Sequence, residues 1–103
     1  MMKDGLGGLN GHYSKTDIAA EGRRRIVRAN QIYSRSIVLC QCLGPKSRRK
    51  INIDQLSTLL AEINVRENYI GYDEDLFARL DEFEVRYSFI DQMFERLRKS
   101  HRA

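Results

Sequence analysis

Apolar positions recur along this chain at the spacing of amphipathic helices, most clearly near its end. Leu76, Leu80, Phe83, Tyr87, Ile90, Phe94 and Leu97 follow one another at intervals of 4, 3, 4, 3, 4 and 3. Three consecutive heptads of this kind place one seam on a helix, ready for knobs-into-holes packing. A second set, Val85, Phe89 and Met93, joins the seam only in the C-terminal half. At 100° per residue the apolar arc is roughly 120° wide over residues 76–87 and widens to about 180° over residues 85–97. The narrower arc suits one neighbouring helix, and the wider one suggests burial on two sides.

Local signals set the ends of this helix and of two others. Asp73 caps the last one, with Glu74 and Asp75 at the favourable positive end of its dipole, and the pattern runs to about Ser100. The first helix starts at Ser14 or Thr16, carries Asp17 and Glu21 early, and runs to Leu43, where Gly44-Pro45 stops it. Residues 46–50 read as a basic loop. Ile53, Leu56, Leu60 and Ile63, with Leu59 beside them, mark a second and shorter helix capped by Asn52 or Asp54. Residues 68–72 read as a turn containing Gly71, and Tyr69 and Tyr72 are expected to staple the start of the third helix. Residues 1–14 are glycine-rich with no helical pattern and read as a flexible arm; residues 101–103 are expected to fray. The fold class is therefore all-α: a three-helix bundle, long-short-long, over residues 15–103, completed by homodimerisation.

The homodimer follows from helix lengths. The first and third helices, about 28 residues each, span roughly 40 Å, while the second covers only about 20 Å. In an up-down-up arrangement the third helix then begins near the middle of the first and overhangs its end. The overhang would carry Phe89, Ile90, Met93, Phe94 and Leu97. Leaving such side chains in water forgoes about 1.5–3 kcal/mol each. Val85, Phe89, Ile90, Met93, Phe94 and Leu97 are therefore expected to bind a partner, either a second copy or a client helix.

Size and charge narrow the classes. A chain of 103 residues, 42% hydrophobic and 31% charged, fits one globular domain. No apolar run approaches the roughly 20 residues that span a bilayer, and the start lacks the apolar segment of a secretory signal. Cys40 and Cys42 are too close for an ordinary disulfide framework, so a cytoplasmic setting is the default. The net charge of +4 is unevenly split, with +8 in residues 1–50 and −4 in residues 51–103. Either the halves attract each other or the basic half meets a polyanion.

The basic half is organised. Arg24, Arg28, Gln31 and Arg35 share one face of the first helix, Arg23 and Arg25 flank it, and Lys46, Arg48, Arg49 and Lys50 follow. Guanidinium groups on a rigid helix can grip phosphates. They can equally pair with Asp81, Glu84, Asp91 and Glu95 of the third helix. A helix-turn-helix reading fails because the would-be recognition helix opens with Asp73, Glu74, Asp75, Asp81 and Glu82, which phosphates would repel. Cys40-x-Cys42 lacks the further ligands of a structural zinc site; Cys40 is expected on a core stripe with Tyr33 and Ile37. No phosphate-cradling glycine motif is present, and neither His12 nor His101 sits in a rigid element to act as a base.

These observations point to a non-enzymatic helical protein-binding module, a regulator, adaptor or chaperone without metal, cofactor or small-molecule substrate. The alternative is a basic nucleic-acid-binding regulator that uses Arg23, Arg24, Arg25, Arg28, Arg35, Lys46, Arg48, Arg49 and Lys50 on phosphates.

Overall fold

A computed structural model of the chain describes residues 14–100, and every element among them is helical. The glycine-rich arm and the fraying tail expected from sequence fall outside the described residues, apart from Ser14. That residue is the cap of α1 (Lys15–Cys42): its hydroxyl accepts a hydrogen bond from the Asp17 N–H at 3.1 Å. α1 stops where expected, at Leu43 and Gly44, and Pro45 opens a new helix where its missing N–H costs nothing.

Residues 46–50, expected as a loop, belong to this new helix, α2 (Pro45–Ile51). Asn52 then adopts the left-handed conformation, φ 52° and ψ 65°, and joins α2 to α3 (Ile53–Tyr69). Asparagine is among the few residues other than glycine that tolerate this geometry. α3 has 17 residues, about 26 Å of helix, which is longer than its apolar pattern suggested. Gly71, at φ +96°, makes the following turn possible. Asp73 caps α4 (Glu74–Tyr87) by accepting from the Leu76 N–H at 2.9 Å.

The last rod is not one helix. It is interrupted at Ser88 and resumes as α5 (Phe89–Ser100). At the joint the Asp91 N–H donates to the Ser88 carbonyl, three residues back rather than four, at 3.1 Å. Ser88 keeps helical dihedrals, so the joint is a single tightened turn of 3₁₀ type.

Contacts along the chain fix the arrangement. Tyr72 lies on Gly22, Arg25 meets Asp81 and Glu84, Arg28 and Arg35 meet Asp91, and Arg35 covers Phe94. Residue numbers rise together on both sides, so α4 and α5 run parallel to α1. α3 runs antiparallel to α4, with Glu62 beside Arg79 and Arg66 beside Asp73. All of α2, α3, α4 and α5 pack on α1.

The overhang expected from helix lengths is therefore absent. Tyr72 and Asp73 lie beside the opening turns of α1, not its middle, because α3 is long enough to carry the chain back. α5 then accompanies the C-terminal half of α1. At its start α5 meets α2, whose Lys50 ammonium lies 5.6 Å from the centre of the Phe89 ring. The heptad seam of α4 and α5 enters the core as read from sequence: Leu76, Leu80, Phe83, Tyr87 and Ile90 are buried, and Phe94 and Leu97 pack half-buried beside them.

On α1 the buried stripe is Ile26, Ala29, Ile32, Ser36 and Leu39. Tyr33 and Cys40 line its edge, while Ile37, expected in the stripe, is 36% exposed. Ser36 is the buried polar residue, and its hydroxyl donates to the Tyr33 carbonyl at 2.6 Å.

Gly22 lets the Tyr72 ring lie directly against the backbone of α1. A methyl group there would lie 2.2 Å from Cδ1 of Tyr72. The ring cannot swing away freely, since its hydroxyl donates to Glu67. Alanine usually favours a helix over glycine by about 1 kcal/mol. Here overpacking of about 1–3 kcal/mol should outweigh that gain. Gly22→Ala is expected to lower the thermal midpoint by several degrees. In a Tyr72→Ala background the same change should be neutral or stabilising, as urea unfolding of the four variants would show. A more stable Gly22→Ala single variant would contradict this packing.

Candidate functional site

The row of basic side chains on α1 is largely occupied by the chain's own carboxylates. Arg25 bonds Asp81 and also reaches Glu84 at 3.3 Å, while its guanidinium covers the Phe77 ring at 5.8 Å. Burial works against its charge, but the two carboxylates outweigh that cost and hold Arg25 firmly cationic. Asp91 receives two arginines, one on each oxygen: Arg28 at 3.0 Å and Arg35 at 2.6 Å. Arg35 also stacks over Phe94 at 4.9 Å. Arg24 pairs with Glu21 one turn earlier on its own helix.

Two residues of the expected basic loop have internal roles as well. Arg48 donates to the Cys40 carbonyl at 2.8 Å, satisfying one of the acceptors that the C-terminus of α1 leaves open. Lys50 lies over Phe89. Lys46 and Arg49 are exposed and form no ion pair among the described residues, and Arg23 sits beside the Tyr72 hydroxyl. Of the four carboxylates proposed as partners, Asp81, Glu84 and Asp91 take that role, while Glu95 faces Arg98 of its own helix at 3.8 Å.

The apolar residues expected to meet a partner divide three ways. Ile90 is fully enclosed by the chain itself. Phe89, Met93, Phe94 and Leu97 are half-buried against the same core. Val85 stands out at 82% exposure. Elsewhere Val27 on α1 is exposed, and at the end of α3 exposed Val65, Tyr69 and Ile70 line a shallow depression. Tyr69, expected as a staple, is 84% exposed. Only Tyr72 packs back, onto α1.

A larger opening, which the sequence reading missed, lies between the first turns of α1 and of α4. It encloses 860 Å³, and Ile18, Tyr72, Phe77 and Ala78 give it an apolar floor. Its rim carries Asp17, Glu21, Asp73, Glu74 and Asp81. The parallel packing explains the cluster: two helices that start side by side bring the first-turn Asp17 of α1 to the capping Asp73 and first-turn Glu74 of α4, and Glu21 and Asp81 join them from the next turns. Each set is legible in sequence, but their meeting depends on the register between α1 and α4.

The groove wall is well fastened. Arg66 bridges Asp73 at 3.1 Å and Asp75 at 2.8 Å, and Arg79 links Asp75 to Glu62. Burial, with the Glu67 carboxylate next to it, raises the Tyr72 phenol above its ordinary value. Among the described residues no three metal-ligating side chains converge, and no helix is long and apolar enough to cross a membrane. No family model matches the chain, and neither the curated proteins nor the solved structures include a significant match.

Asp73 gives the bundle a measurable pH dependence. The Leu76 N–H and the Arg66 guanidinium hold its carboxyl below the ordinary range. A depressed folded value means that the stabilisation is whole above about pH 4 and is lost as pH falls through that lower value. Asp73→Asn keeps an acceptor for the cap but removes the titration. Urea midpoints of the variant should fall less between about pH 5 and pH 2 than those of the unmodified protein. Equal slopes would show that the cap and ion pair add nothing as charges.

Proposed function

We propose that the chain is a non-enzymatic protein-binding module, a small regulator, adaptor or chaperone that presents a preformed groove. The observation that carries this reading is the contrast between a packed apolar core and an opening that no described residue fills. The core of α1, α3, α4 and α5 packs within one chain, whereas the 860 Å³ groove between α1 and α4 has an apolar floor that no described residue covers. Clefts of this size with an apolar lining are where proteins take ligands and peptide side chains. A floor held by the Tyr72–Gly22 contact and the Arg66 and Arg79 bridges needs little rearrangement to bind, which limits the entropic cost of docking.

The homodimer expected from sequence belongs to the same proposal at a different place. With α5 packed along α1, the surface that a second copy would cover is the exposed patch of Val65, Tyr69 and Ile70 at the end of α3. The nucleic-acid alternative draws on Lys46 and Arg49, which have no acidic partner among the described residues. Pairing of Arg25, Arg28 and Arg35 weighs against it, since phosphates would have to displace Asp81, Glu84 and Asp91.

In-cell crosslinking with a tagged chain in its native host separates these readings. The module reading expects one or a few proteins at near-stoichiometric yield, lost from an Ala78→Arg variant and insensitive to nuclease. Recovery of nucleic acid alone, with a yield that collapses as salt rises, would contradict it.

A further inference from the structure

The groove between α1 and α4 is acidic on a protein whose net charge is +4, so its sign runs against the molecule as a whole. Asp17 and Glu74, on opposite walls, have no cationic partner among the described residues. They lie beside Asp73, Glu21 and Asp81, which share arginines with the rest of the bundle. Between the walls the floor is hydrocarbon and aromatic: Ile18, Phe77, Ala78 and the Tyr72 ring. A polar small molecule would leave that floor unused, and a nucleic acid would meet five carboxylates. What fits both surfaces is a segment with large apolar side chains on one face and lysine or arginine on the flanks.

We infer that this groove docks a cationic, amphipathic helical segment of a partner protein. Its apolar face rests on Ile18, Tyr72, Phe77 and Ala78, and its basic flanks meet Asp17 and Glu74. The wall formed by residues 73–81 is about 12 Å long, so two to three turns of a partner helix suffice to fill it. Apolar burial supplies the anchor, and charge supplies selection and orientation. The inference rests on the protein-binding reading and adds the chemistry of the partner.

Fluorescence anisotropy on the full chain tests this with three labelled peptides of about four helical turns. The first places leucines at i, i+3, i+4 and i+7 with lysines elsewhere. The second has the same composition with the leucine face broken up, and the third has glutamate for every lysine. The first should bind at least about tenfold more tightly than either control, and more weakly as salt screens the rim. Ala78→Arg, at an exposed floor position, and the double change Asp17→Asn/Glu74→Gln should each weaken it about tenfold. Val65→Arg, on the far patch of α3, should leave it unchanged. Circular dichroism checks that each variant folds, and the Asp/Glu pair carries the test should Ala78→Arg perturb α4.

Equal binding of the first two peptides, or full binding by the folded double variant, would overturn the inference. So would a mass that doubles with concentration and is blocked by Ala78→Arg, which would put a second copy in the groove. Each of these results leaves the broader protein-binding reading to the crosslinking experiment, which does not depend on peptide charge.

Discussion

The bundle depends on the parallel seam between α1 and the α4–α5 rod. On α1 one stripe, Ile26, Ala29, Ile32 and Leu39, enters the core, and the adjoining stripe carries Arg25, Arg28 and Arg35. The facing rod has the complementary pair of stripes: Leu80, Phe83, Tyr87 and Ile90 beside Asp81, Glu84 and Asp91. Apolar burial holds the two rods together, and the charge pairs select the register. Exposed ion pairs add little stability, typically below about 1 kcal/mol, but a slip by one turn would face arginines with the wrong residues. Asp91, shared by two arginines and only 22% exposed at its side chain, is the tightest such checkpoint.

Much of this was legible in the sequence because it is local. The heptad seam from Leu76 to Ile90, the Asp73 cap, the Gly44-Pro45 stop and the turn at Gly71 are each decided within a few residues, and each stands where the pattern placed it. Alignment of two distant elements is not local, and there the sequence pattern and the fold differ. α2 was missed because Lys46, Ser47, Arg48, Arg49 and Lys50 show no apolar period; Pro45 at its start and the buried Ile51 at its end were the available signals. The length of α3 was underestimated because its last turns, with exposed Val65 and Tyr69, lack an inward-facing repeat. Those two errors together created an overhang that the fold does not have. The tightened turn at Ser88 had no signal in sequence that we can name.

The same distinction governs the candidate site. That Arg25, Arg28 and Arg35 answer to Asp81, Glu84 and Asp91 could be anticipated from opposite charge in the two halves. The groove could not, since it exists only because α1 and α4 begin side by side. Carboxylates near a helix start favour its dipole, and the parallel arrangement collects Asp17 of α1 with Asp73 and Glu74 of α4 around one apolar floor. A local preference of helix formation thus becomes a feature of the surface, which is the basis for reading the groove as a docking site.

The register of α1 against α4 is best measured by paramagnetic relaxation in solution. A nitroxide attached at Ala78→Cys, with Cys40 and Cys42 replaced, should broaden the α1 amide signals of Asp17, Ile18 and Glu21 and spare those near Ser34. That pattern would establish the side-by-side start on which the closed core and the groove both rest. Broadening centred about 20 Å further along α1, near Ala29 and Ile32, would mean that the last rod overhangs after all, and would contradict the account.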